Sequence, residues 1–366
     1  MKRTVCHISL CVLTIIALVG CDVHEFSEES PDRVPFLLHL DFNTDMPLFK
    51  EVLYTRDGEL STNDRFDSHD IRYIINAYRT NNLRGENRTP DTTFVFSRSN
   101  VANLDYTAVL ELPEGTYDFK VWADYVNAGS ENDKYYNTSD FSEIILSDRD
   151  NHSGSNDYRD AFRGYATATV SNPACYTGSA VDSINNQTRA EMKRPMGKFK
   201  FISTDVDVFL SRVTQMMKDK VMQISTDSEP DSKADDHLLQ SIDMGMFYVV
   251  FRYNVFMPCS FNMFTDKPAD SWTGMSFISQ INVADEDGLS LGYDYIFVNG
   301  SETSLSISLE VYNREGELMS STNPINVPIV RSKLTLVKGA FLTSTASGGV
   351  TINPGYDGED YNIEIY

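Results

Sequence analysis

"SLSISLEVY", residues 304–312, sets Leu305, Ile307, Leu309 and Val311 on one side of an extended chain and Ser304, Ser306, Ser308 and Glu310 on the other. Successive strand side chains point to opposite faces, so a strict period of two makes this a strand with one buried face. "FLLHLDF", 36–42, does the same with Phe36, Leu38, Leu40 and Phe42 against Leu37, His39 and Asp41. In "YDFKVWADYV", 117–126, Tyr117, Phe119, Val121, Ala123 and Tyr125 share a side. Turn chemistry divides these runs, as in "LPEGTY" at 112–117 and "NREGE" at 313–317. Further strands are expected over 71–78, 94–96, 144–146, 198–202, 247–256, 334–342 and 361–365. Many short alternating strands between turns predict a mainly β chain of antiparallel, sandwich-like sheets.

One helix is expected from Val206, where Phe209, Leu210, Val213, Met216 and Met217 form a stripe at helical spacing. Thr204 and Asp207 have the spacing of a capping box, and the methionine pair reads as core filling. "STDSEPDSKADDHLL", 225–239, reads as an exposed acidic loop. The length suggests two domains, with the boundary in the polar stretch "DSINNQTRAE" at 182–191, giving domains over 36–190 and 191–366. Hydrophobic content of 41% with 11% aromatics supplies substantial cores and excludes global disorder.

The chain starts with Lys2 and Arg3, followed by a mostly apolar run from Ile8 to Gly20. That run is shorter than the ~20 residues of a membrane-spanning helix and reads as the centre of a signal peptide, residues 1–20. It ends at Leu18-Val19-Gly20-Cys21, which resembles a bacterial lipobox whose cysteine is acylated on sulfur and becomes the mature N-terminus. Several acyl chains hold a protein stably on a membrane, where one chain is marginal. The acidic residues after Cys21 make 21–35 a charged tether and resemble surface-export signals of Bacteroides-type lipoproteins. The formal charge is −22, and losing Lys2 and Arg3 with the leader takes it to −24. Such a surface repels nucleic-acid phosphates and anionic headgroups, which argues against nucleic acid as a partner. Cys175 and Cys259 then remain besides Cys21, too few for a disulfide framework, and they read as two free thiols.

No residues are nominated as catalytic. "GLSLG", 288–292, matches the G-x-S-x-G pattern of a nucleophile elbow, but a strand-like "YDYIFV" follows Ser290 and the last histidine is His237. The pattern reads as a glycine-rich turn. "HEF" at 24–26 lacks a second histidine four residues on, so it is no zinc helix. "ADEDG", 284–288, lacks the alternating pattern of a calcium loop and reads as an acidic turn, so no metal or other cofactor is expected. Trp122 and Trp272 are the candidates for stacking on a sugar ring; Trp122 falls opposite Tyr117 and Phe119, in a second packed layer or exposed.

"CDVHEF", "PFLLHLDFNTDMPLFKEV", "LPEGTYDFKVWADYV", "MKRPMGKFKFIST", "FMPCSFNMFTDKPADSWTG", "VPIVRSKLTLVKGAFLT" and "GGVTINPGYDGEDYNIEI" together span nearly the whole chain after the leader. In these stretches the chain resembles the FimB-type lipoproteins of the fimbrillin superfamily of Bacteroides-type bacteria. The resemblance implies two tandem transthyretin-like β-sandwich domains with at most one or two short helices. It also implies an outer-membrane lipoprotein, lipid-anchored through Cys21 and facing the cell surface, that serves as a fimbrial anchor or accessory part. Fimbrillin-type subunits would be its partners, with no small-molecule cofactor and no enzymatic activity. Polymerising fimbrillins are trimmed after an arginine; Arg33 precedes the first expected strand here, but nothing marks it as a cleavage site. The alternative reading is a surface glycan-binding lipoprotein without catalysis. "DTT" at 91–93 and "DSI" at 182–184 resemble Bacteroides O-glycosylation sites, which nominates Thr92 and Ser183.

Overall fold

Alternation along the expected strands is matched by burial. In the computed structural model, which describes residues 33–42, 68–80, 89–99, 104–175, 185–224, 244–281, 283–285, 288–344 and 361–365, the 304–312 run is buried at Leu305, Ile307, Leu309 and Val311. The first nine strands are β1 (Arg33–Phe42), β2 (His69–Arg79), β3 (Thr92–Arg98), β4 (Tyr106–Pro113), β5 (Gly115–Asn127), β6 (Tyr136–Asn137), β7 (Ile144–Leu146), β8 (Ala161–Val170) and β9 (Gln187–Met192). Next come β10 (Met196–Ser203), β11 (Phe247–Tyr253), β12 (Met257–Pro258), β13 (Ser260–Asn262), β14 (Lys267–Pro268), β15 (Ser271–Trp272) and β16 (Ser276–Gln280). The last are β17 (Val283–Asp285), β18 (Gly288–Phe297), β19 (Glu302–Asn313), β20 (Leu318–Ser321), β21 (Ile325–Val330), β22 (Leu334–Gly339) and β23 (Tyr361–Ile365). The protein is mainly β, and most of its strand pairings are antiparallel.

The first sandwich faces sheet β4-β1-β9 against sheet β3-β2-β5-β8. Phe36 of β1 and Phe119 of β5 stack across the gap at 5.4 Å, and Leu38, Leu40, Tyr73 and Val121 fill the same core. One margin is drawn together where Arg163 bridges Lys193 between β8 and β9. At the other margin β3 and β4 are edges among the described residues, and Phe96 of β3 lies 5.6 Å from Tyr106 of β4. The second sandwich faces β17-β18-β10-β22-β23 against a sheet of β16, β11, β19, β20 and β21. Phe201 meets Phe251 at 5.5 Å, and Phe251 stacks on Phe277 at 4.6 Å. Each fully buried side chain of this size contributes about 1.5–3 kcal/mol relative to exposure.

Several details differ from the sequence reading. Two pairings are parallel, β1 with β9 and β10 with β22, because each partner returns after a long excursion rather than a hairpin. The polar stretch 182–191 contains the start of β9. Arg33 lies within β1, donating to the Glu111 carbonyl at 3.1 Å, rather than ahead of the strand. "GLSLG" is not a turn but the first half of β18, with Ser290 paired to Ile202 and Val283. Gly292 is needed there for close approach, since a Cβ would lie 2.6 Å from the Phe251 ring.

The helix forms as expected and is the α-helix of the described part, α1 (Val206–Ile224), 19 residues or roughly 28 Å. Its stripe buries Phe209 and Val213, but Met216 is 49% and Met217 36% exposed, so the pair is not core filling. Thr204 and Asp207 form no capping box with each other among the described residues. Asp205 instead holds the far loop, accepting from the amides of Leu342 and Thr343 at 3.3 and 2.7 Å. Among the described residues no helix is long and apolar enough to cross a membrane.

The segment between β5 and β8 leaves the first sandwich and joins the second. Its β7 pairs with β13 (Phe261 opposite Ile144) in a small sheet ordered β14-β13-β7-β6. Tyr136, Phe141, Ile144 and Leu146 belong to the second core, and so do Ile74 and Trp122 from the outer faces of β2 and β5.

Candidate partner-binding surfaces

The sequence-nominated side chains do not converge. Cys21 and Ser183 lie outside the described residues. Thr92 begins β3 and is half-buried. Trp122 is fully buried, packed 5.4 Å from Tyr136 and 6.4 Å from Phe261, with its indole N–H donating to Asp124 at 3.2 Å. Trp272 is buried beneath Arg149, whose guanidinium sits 5.7 Å from the ring centroid. Neither ring offers a face to a sugar, because the small sheet covers one and Arg149 the other. Ser290 has a strand on each side, and among the described residues no histidine bonds to it. Asp285 pairs opposite Gly288 in the β17–β18 hairpin, while 286 and 287 lie outside the described residues. Among the described residues no three metal-ligating side chains cluster. Cys175 is exposed and Cys259 buried, both as free thiols, and burial pushes the Cys259 thiol up to about 12.

What the fold does assemble is a buried ionic junction, from the polar stretch between β7 and β8. Residues 148–160, "DRDNHSGSNDYRD", carry two short 3-10 turns and press against β18 and β10. His152 Nε2 lies 2.7 Å from Asp294, and Arg159 Nη1 donates to the other carboxylate oxygen at 2.6 Å. The Tyr253 hydroxyl donates to Asp294 as well. Asp157 accepts from the Lys198 ammonium and from Tyr295 at 2.6 Å, and Asp160 forms a bidentate pair with Arg194. Burial opposes charge on His152, but Asp294 and Asp148 outweigh it and hold the imidazole above its ordinary 6.5. Burial alone would raise Asp294; Arg159 and His152 pull it below the usual carboxylate range instead. Each charge thus has a partner, the condition under which buried ions are tolerated.

Three outer surfaces of the described residues bear on binding. The first is the edge at β4, where Val109 is 54% exposed and faces Leu37 of β1 across the pair. The second is a groove of about 370 Å³ between α1 and the β11–β19–β20 sheet, lined by Met216, Met217, Met246 and Met319. The third is a notch of about 570 Å³ between the outer face of β5–β8 and the β13–β14 hairpin. Sequence reasoning missed all three, because each depends on which part of the chain covers a strand's second face.

Residues 33–366 match a family described as a family of unknown function, DUF6562, and the chain belongs to that family. No curated protein sequence matches it. Among solved structures, it is similar to a candidate cell adhesion protein from Bacteroides eggerthii, at 12% identity over 90% of this chain and 94% of that one, TM-score 0.41. It is also similar to the fimbrial anchor protein Mfa2 from Porphyromonas gingivalis, at 10% identity over 84% of this chain and 90% of that one, TM-score 0.36. A third is a candidate polysaccharide-binding protein from Bacteroides thetaiotaomicron, at 11% identity over 79% and 80%, TM-score 0.37.

Proposed function

We propose that this DUF6562 member is a cell-surface lipoprotein of the FimB-like kind, a structural anchor or accessory part of a fimbria, held at the outer membrane by lipid on Cys21. The observation that carries the reading is the open margin of the first sandwich. Among the described residues β4 pairs only with β1, and its outward Val109 is an exposed apolar side chain on an unpaired edge. Such an edge accepts a partner's strand, main-chain hydrogen bonds supplying affinity and alternate side chains the register. The partner is a fimbrillin-type subunit, and no chemistry is needed. The two sandwiches then serve as two domains whose strands divide near residue 190, with the segment between β5 and β8 lent to the second core and the first domain next to the lipid. Twelve residues of tether before Arg33 reach at most ~45 Å, which suits a base component.

The test is crosslinking on the native cell surface with the parent protein and with Val109→Lys and Thr107→Pro. Both substitutions act on the exposed edge, so the melting temperature should hold while a fimbrillin-type subunit is lost from the crosslinked product. Recovery of glycan-uptake proteins with no such subunit from the parent protein would refute the reading.

A further inference from the structure

The outer face of β5 changes character along its length. Asp124 and Trp122 are fully buried under the small sheet, Lys120 is half-buried, and Asp118 is exposed. At the transition stands the notch of about 570 Å³, within the ~300–1,000 Å³ typical of small-molecule sites. Lys120 forms its floor with Tyr165, its neighbour on β8, and Phe264 of the β13–β14 hairpin forms the wall. The Lys120 ammonium lies 5.1 Å from the Tyr165 ring centroid and 4.9 Å from that of Phe264.

The wall is rigidly built. Asn262 Oδ1 accepts from the amides of Phe264 and Thr265 at 2.8 and 3.0 Å, fixing the hairpin. Asp266, left-handed at φ 56, is tied to Arg163 and Arg331 at 2.7 Å each and to the Tyr165 hydroxyl at 3.3 Å. The aspartate is thereby spent on its own cations. Lys120 differs: among the described residues its ammonium has rings beneath it and no hydrogen-bonded acceptor. Burial lowers its pKa, with Asp118 only partly opposing. An ammonium that has lost water without gaining an acceptor is rewarded when an anion arrives. Arg163 and Arg331 neutralise Asp266 from outside the lining, so the charges left to face a ligand in the notch are the Lys120 ammonium and, at the open end, Asp118. Beside Lys120, Asp118 and Thr167 hold each other at 2.7 Å on the open floor, a pair able to meet ligand hydroxyls.

We infer that this notch binds a carboxylate-bearing sugar residue, its carboxylate on Lys120, its hydroxyls on Asp118 and Thr167, and its apolar face toward Phe264. The inference stands apart from strand capture, since β4 takes no part in it. It also puts saccharide recognition on residues other than the two buried tryptophans.

The test is NMR on lysine-labelled protein, with the Lys120 signal assigned by Lys120→Arg, titrated with galacturonic acid, galactose and acetate. Galacturonic acid should shift the Lys120 signal and bind at least tenfold more tightly than either galactose or acetate. Lys120→Met and Phe264→Ala should each weaken it at least tenfold with the melting temperature within a few degrees of the parent. Thr167→Val, exposed and unable to disturb the core, should weaken it severalfold. Equal binding of galactose, equal binding of acetate, or undiminished binding by folded Lys120→Met would each overturn the proposal.

Discussion

Replacing Asp294 by asparagine removes one charge from the junction between the 148–160 segment and β18. The Asp294 side chain is 1% exposed and is the acceptor for His152 at 2.7 Å and Arg159 at 2.6 Å. After the change Arg159 keeps Asp148 nearby and the Ser153 carbonyl at 3.2 Å, while its Nε and Nη2 already lack hydrogen-bond partners among the described residues. Removing one partner from a buried ion pair costs about 3–5 kcal/mol, chiefly because the other charge stays desolvated. At roughly 2–4 °C per kcal/mol for a large domain, the melting temperature should fall by on the order of 10 °C. Trp122 and Trp272 both pack into the second core, so tryptophan fluorescence during urea or thermal unfolding reads this region directly. The apolar triple variant His152→Leu, Arg159→Met, Asp294→Leu should cost less than Asp294→Asn alone, because the ion it leaves unpaired is the partly exposed Asp148 rather than a fully buried cation.

The pH dependence supplies a second readout. His152 is raised above 6.5 in the folded protein, so its stabilising contribution is fully present below 6.5 and is lost as pH rises through the folded value. Since Asp294 is the leading group that raises it, Asp294→Asn should flatten this decline. A destabilisation under ~1 kcal/mol with an unchanged pH slope would refute the account of the junction.

Three other outcomes are expected. Cys21→Ser should give an unprocessed precursor that takes up no labelled palmitate, and normal labelling would remove the lipid anchor. Gly292→Ala should cost about 1–3 kcal/mol by overpacking, since its Cβ would meet Phe251 at 2.6 Å, and a neutral result in urea unfolding would contradict that close approach. His69, buried beside Lys134 and stacked 3.6 Å from Tyr158, is lowered to about 4 by burial first and Lys134 second. The unfolded chain therefore binds a proton that the folded one refuses, so stability falls as pH drops from 6.5 toward 4, and His69→Gln should abolish that component of the slope.

The strands whose buried face the sequence revealed were those with one wet face, although β2 too was expected as a strand over 71–78. β1 and β19 alternate because solvent covers one side, and α1 shows its stripe for the same reason. β2, "HDIRYIINAYR", has nine successive buried residues, so polar Arg72 and Asn76 sit indoors and no alternation survives. β5 shows the limit most clearly. The period put Trp122 opposite Phe119, but a period assigns a face and cannot say what covers it. The cover is β6, β7 and β13, which a local reading cannot join because Phe261 is 117 residues from Ile144. The ionic junction is hidden for the same reason: the carboxylate that makes Arg159 tolerable inside the protein lies 135 residues away.

The two long-range features support one another physically. Apolar packing of Tyr136, Ile144 and Leu146 against Phe261 and Phe297 is non-directional and would tolerate sliding of the inserted segment. The paired ions tolerate little, since shifting His152, Arg159, Asp157 or Asp160 by one residue would leave several buried charges without partners. Grease thus supplies most of the attraction between the segment and the second sandwich, and the ion pairs select its register. That division of labour places the β13–β14 hairpin reproducibly over β5, ending its cover between Lys120 and Trp122. The notch and its half-dry ammonium are therefore consequences of the junction, so Asp294→Asn should blur carboxylate binding at Lys120 in any fraction that still folds. A variant that loosens the junction yet leaves Lys120 binding untouched would show that the hairpin is held by the small sheet alone.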